Sequence, residues 1–106
     1  MRPGGQPNLK QLMKLQQQLT AVQAELAEAE VTGTAGGGLV TVTMTAERTV
    51  RAIMIDPKAI DPDDVETLED LVLAALHNAT EAAQDLHEQK MKPFQSMVGG
   101  LGLPGF

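Results

Sequence analysis

The sequence predicts an α+β protomer of order α-β-β-β-α, in which a small antiparallel sheet is flanked by two long helices. Three observations carry this reading. Leu12, Leu15, Leu19, Val22, Leu26 and Ala29 recur at alternating spacings of three and four, a seam of about two and a half heptads. Val40, Val42 and Met44 alternate with Thr41, Thr43 and Thr45, the period of a strand buried on one face. A second helical pattern, Val65, Leu68, Val72, Ala75, Ala79, Ala82 and Leu86, fills the later part of the chain.

Each element has its own local warrant. Asn8 followed by Gln11 reads as a capping box with Pro7 just outside it, and the next twenty or so residues contain no Gly or Pro. A helix is expected from about residue 9 to 29. Val31 and Thr32 suit a short strand before the glycines, and Val40–Thr45 a second. Ala46–Thr49 (AERT) turns the chain into VRAIMI, Val50–Ile55, whose β-branched residues favour a third strand. An antiparallel meander is the economical arrangement. Asp61 is the expected N-cap of the last helix, with Pro62 at its first position and Asp63 and Asp64 favourable to its dipole. Pro93 is expected to end that helix after about Lys92.

Such a helix of ~30 residues is ~45 Å long at 1.5 Å per residue. A compact domain of this size has a radius of gyration of only ~13 Å. The far half of the helix must project or pack on another subunit. The length therefore predicts a homodimer with projecting arms, because a twofold partner is the simplest cover for the excess. The segments are then residues 1–8, a flexible N-terminal stretch; 9–93, the folded domain; and 94–106, a Gly- and Pro-rich tail.

Composition narrows the function classes. The 106 residues include two Phe, no Trp, no Tyr and no Cys, so disulfides and thiolate metal sites are excluded. No run of ~20 apolar residues exists to span a membrane. The start, MRPGGQPN, lacks an apolar signal core, so a cytoplasmic protein is expected. His77 and His87 are ten residues apart on one helix and do not share a face, and no H-E-x-x-H pattern is present. DPDDVETLED lacks the glycine and ligand order of a calcium loop and fits helix capping instead. No nucleophile and base stand in a recognisable arrangement. No enzyme, cofactor, metal or small-molecule substrate is expected.

The glycines of VTGTAGGGLVTVTMT raise the question of a phosphate loop. Phosphate-cradling loops open a helix and carry a Lys with a Ser or Thr. Here Leu39 and a strand follow, with no Lys nearby. The glycines read as a turn or bulge between two strands.

Charge offers a better lead. The net charge is −6, but residues 1–24 carry Arg2, Lys10 and Lys14 and no acid. Residues 61–88 carry nine acids and no Lys or Arg, and Lys90 and Lys92 follow. If both helices extend outward together, Arg2, Lys10, Lys14, Lys90 and Lys92 fall at the far ends, on an otherwise acidic body. Such tips suit a phosphate backbone. The same lysines also suit plain charge balance, including the dipole at the last helix's C-terminus.

The order LMKLQQQLTAVQAEL, EVTGTAGGGLVTVTM, VRAIMIDP, LEDLVLAALHNA and a final LPGF resembles the YbaB/EbfC family of nucleoid-associated DNA-binding proteins. The likeness runs from about Leu9 to Phe106. It implies a tweezer-shaped dimer that binds double-stranded DNA in the bacterial nucleoid, without catalysis, and that bears on nucleoid organisation and transcription regulation. The absence of aromatic platforms disfavours single-stranded partners. Few arginines favour phosphate contacts with weak sequence preference. The rival reading is a dimeric scaffold whose helix arms hold a protein partner.

Overall fold

The computed structural model describes residues 9–100, with side chains through Ser96. It confirms the order α-β-β-β-α. Helix α1 spans Leu9–Glu28, followed by β1 (Glu30–Ala35), β2 (Val40–Thr45) and β3 (Val50–Ile55), and by α2 (Val65–Gly100). The strands form an antiparallel meander of order β1-β2-β3. Strands β2 and β3 begin and end where the residue pattern places them. Strand β1 is longer than Val31 and Thr32, reaching Ala35 through Gly33.

The core lies between the sheet and the first half of α2. Val40, Val42 and Met44 point inward from β2 and meet Ala75, Ala79 and Ala83, with Val31 and Ala35 alongside. Gly33 shows why the helix lies so close. A Cβ there would sit 2.7 Å from the Ala79 Cα and closer still to backbone atoms of Ala75 and Ala79. Gly33 on the strand and alanines on the helix thus let two backbones approach almost directly.

Helix α2 covers β1 and β2 but not β3, all six residues of which are exposed. Ile53 and Ile55 pair with Val42 and Val40 and so share the inward face, yet they remain uncovered. Ile55 lines a shallow, largely apolar groove together with Leu68, Glu69, Val72, Leu73 and Leu76.

Two helix-end expectations are corrected. Asp61 closes a turn, accepting from the Asp63 amide at 2.9 Å, while Asp64 caps α2 by accepting from the Thr67 amide at 3.3 Å. At the other end α2 continues through Pro93 to Gly100. Proline removes one backbone bond there, but Pro93 and the Gln89 carbonyl it deprives belong to exposed residues, so water can replace the bond. Met91 and Phe94, both half-buried, carry the apolar seam past the proline.

The result is an elongated molecule of 74 × 22 × 16 Å with a radius of gyration of 20.3 Å. Helix α2 starts near the β1–β2 turn, where Gly36 abuts Leu71, and leaves the sheet at the opposite end. There α1 joins the sheet, the Ala46 amide donating to the Ala29 carbonyl at 2.9 Å. The two helices therefore leave from the same end as one arm.

Candidate nucleic-acid interface

The arm is built by α1 and the second half of α2. Leu26 is the one buried side chain of α1, at 2% exposure. Leu15, Leu19 and Val22 are half-buried along the same seam, whereas Leu9, Leu12 and Met13 are exposed. An amphipathic helix with a narrow apolar stripe leaves a broad polar face in solvent. On α1 that face holds Lys10, Lys14, Gln17 and Gln18, within a stretch that has no acid before Glu25.

Lys90 Nζ lies 2.9 Å from Glu25 Oε1, which sets residue 25 of α1 beside residue 90 of α2. The helices are antiparallel, so positions can be counted outward at 1.5 Å per residue. Lys92 is then ~3 Å farther out than this pair, Lys14 ~16 Å and Lys10 ~22 Å. All four lysines are exposed and belong to the arm. Only Lys10 and Lys14 lie toward its tip. Lys90 and Lys92 sit partway along it, because α2 does not stop at Pro93. Arg2, the tail 94–106 beyond Gly100, and the stretch 1–8 with its Asn8 cap lie outside the described residues.

The two helices differ electrostatically. Lys92 shares a shallow polar groove with Asp85, Glu88, Gln89 and Gln95. On α1, a comparable shallow surface is lined by Met13, Gln16, Gln17 and Thr20, with no carboxylate. A polyanion is repelled less by the α1 surface than by the α2 surface.

Three cations escaped the residue-pattern reading. Arg48 sits in the β2–β3 turn with φ 70°, and Lys58 lies in the short 3-10 turn Pro57–Ala59. Arg51 is the skipped residue of a β-bulge, since Thr43 pairs with Ala52 and Met44 with Val50. A bulge re-aims its side chain. Here the guanidinium reaches the α1 C-terminus, 3.3 Å from the Ala27 carbonyl and 3.8 Å from Glu28 Oε2. Nothing in VRAIMI, which has no glycine, announces that bulge.

The other candidate sites have structural roles. Gly36, Gly37 and Gly38 all have positive φ and form the turn into β2, as their sequence context indicated. His77 and His87 are exposed on α2. Among the described residues no group of three or more metal-ligating side chains converges, and no helix is long and apolar enough to cross a membrane.

The model of the YbaB/EbfC DNA-binding family matches residues 2–98 of this chain. The chain belongs to that family. A nucleoid-associated protein of Saccharopolyspora erythraea is 53% identical over 115 residues, covering 99% of each chain. One of Rhodococcus opacus is 54% identical over 109 residues, covering 99% of this chain and 96% of its own. A crystal structure of an uncharacterized Helicobacter pylori protein covers 85% of this chain and 99% of its own, with a TM-score of 0.70 at 16% identity. That last likeness is one of fold. The family is one of non-enzymatic, nucleoid-associated DNA-binding proteins, which agrees with the resemblance read from the residues.

Proposed function

We propose that this chain binds double-stranded DNA in the nucleoid through phosphate contacts made by its helical arm, with weak sequence preference. The carrying observation is the acid-free outer face of α1, with exposed Lys10 and Lys14, on a chain of net charge −6. Lys92 extends the surface on α2, Arg2 adds a charge before α1, and Lys90 lies in the same arm, paired with Glu25. Lysine ammonium groups act on phosphate as point charges rather than as base readers. Binding of this kind bears on nucleoid organisation and gene expression.

The active unit in this reading is a homodimer. Support comes from β3, an exposed edge strand with Ile53 at 45%, Met54 at 67% and Ile55 at 38% exposure, beside an uncovered apolar groove. An open edge of this kind is a template for a second chain. Two arms then grip one duplex. Sedimentation at micromolar concentration should give a dimer; a monomer would remove the tweezer geometry.

The deciding experiment is a gel shift with Lys10, Lys14, Lys90 and Lys92 all changed to Glu. Binding should be lost, and undiminished binding would sink the arm model. One observation favours the scaffold alternative: Leu9 and Met13, at 72% and 53% exposure, offer a protein partner apolar surface near the same lysines. That reading gains if no DNA is bound above ~0.15 M salt, where the screening length is ~8 Å.

A further inference from the structure

We propose that Glu25 and Lys90 form a strut that sets the angle of α1 in the arm, so that Lys90 is a positioning residue acting through Glu25 rather than on DNA. The inference rests on the arm being the DNA-binding surface.

Little holds α1. Its single buried side chain is Leu26, in the last two turns, and the exposed Leu9, Leu12 and Met13 give its leading half little backing. Leu15, Leu19 and Val22 are only half-buried along the seam, so apolar contact is firm at the Leu26 end of the rod and leaves its swing soft. The same end carries two polar ties. Glu25 accepts from Lys90 of α2 at 2.9 Å, and Arg51 of β3 reaches the Ala27 carbonyl at 3.3 Å and Glu28 at 3.8 Å. One tie goes to the helix and the other to the sheet, so together they restrain α1 from two sides.

Leverage gives a surface pair more consequence than its energy suggests. Lys10 lies fifteen residues from Glu25, ~22 Å along the helix. A swing of about 10° at the base moves it by about 4 Å, beyond the reach of one hydrogen bond. A loosened α1 therefore presents its lysines out of register with a phosphate row, although no DNA-contacting group has changed. Lys90 is also the poorer candidate for direct contact, because its ammonium already has a carboxylate partner at hydrogen-bond distance.

A charge swap separates the roles. The chain contains no cysteine, so Thr20→Cys and Ser96→Cys, both at exposed positions, allow clean spin labelling of the two helices. Label distances are measured by pulsed electron resonance, with labelled chain diluted in unlabelled chain. Duplex affinity is measured by fluorescence anisotropy. Lys90→Gln and Glu25→Gln should each broaden the distance distribution and weaken binding two- to five-fold. The swap Glu25→Lys with Lys90→Glu should restore both. Recovered distances with binding still weak would overturn the positioning role and make Lys90 a direct phosphate contact. Tighter binding by Glu25→Gln would overturn it by making Glu25 a competitor of DNA. Distances unmoved by either single change would overturn it outright. If the unaltered protein binds no duplex, the DNA reading fails separately, and the distance measurements still decide whether the strut exists.

Discussion

The two halves of α2 follow different rules. From Val65 to Ala83 the helix lies on β1 and β2, and Ala75, Ala79 and Ala83 are completely buried. From Gln84 to Ser96 no side chain is buried, and only Leu86, Met91 and Phe94 are half-covered. The first half is held by backbone-to-backbone proximity, which tolerates almost no added volume. The second half is held by a thin seam and the Lys90–Glu25 ion pair, which tolerate substitution but not loss of direction. Stability should therefore reside in the sheet end and binding in the arm, on one continuous helix.

Gly33→Val should break the sheet end most severely. Its side chain must displace α2 backbone, and the cost is ~3 kcal/mol, at the upper end for overpacking. Chemical denaturation should show the midpoint fall accordingly. Leu26→Ala removes the sole buried anchor of α1 and should cost ~2.5 kcal/mol. Its denaturation midpoint should fall less than that of Gly33→Val, and DNA affinity should fall with it because the arm loses its root. Smaller effects sharpen the contrast. Asp64→Ala deletes the α2 cap and should cost ~1 kcal/mol in a thermal melt. The cap lies at the end of α2 remote from the arm, so duplex affinity should be unchanged when measured well below the melting temperature. Lys10→Gln with Lys14→Gln should alter stability by less than about 0.5 kcal/mol. That pair tests the division of labour, because its whole effect should appear in DNA binding.

The sheet end was the more legible region for the same physical reason that it is the more stable. Burial on one face imposes alternation, and the alternation of β2 and the β-branched run of β3 located both strands to the residue. The residue pattern predicts too short a β1 because Gly33 interrupts its apolar positions. The helix backbone that requires this glycine comes from Ala75 and Ala79, more than forty residues later. At both ends of α2 strong local signals point to boundaries that differ from the observed ones. Asp61 and Pro62 look like a cap and first turn, but a 3-10 turn at Pro57–Ala59 and an Asx turn at Asp61 delay the helix to Val65. Pro93 looks like a stop, but its missing bond faces solvent while Met91 and Phe94 continue the seam.

The arm lysines were legible as charges on helices and not as a spatial set. Their mutual positions depend on helix length beyond Pro93 and on the Glu25–Lys90 register. Neither follows from local pattern. Arg51 was invisible as a tie because only the bulge turns it toward α1. Family membership, by contrast, was readable, since motifs spread over the chain identify it even where the geometry of the lysines does not.

The central claim is that arm lysines bind phosphates, and a salt titration of duplex affinity tests it most directly. Each phosphate contact releases counterions, giving a slope of about −0.9 per contact in log affinity against log salt. Lys10→Gln with Lys14→Gln should weaken binding and make that slope shallower by about 0.9 for each lysine contact removed. An unchanged slope and affinity in this variant would contradict the claim.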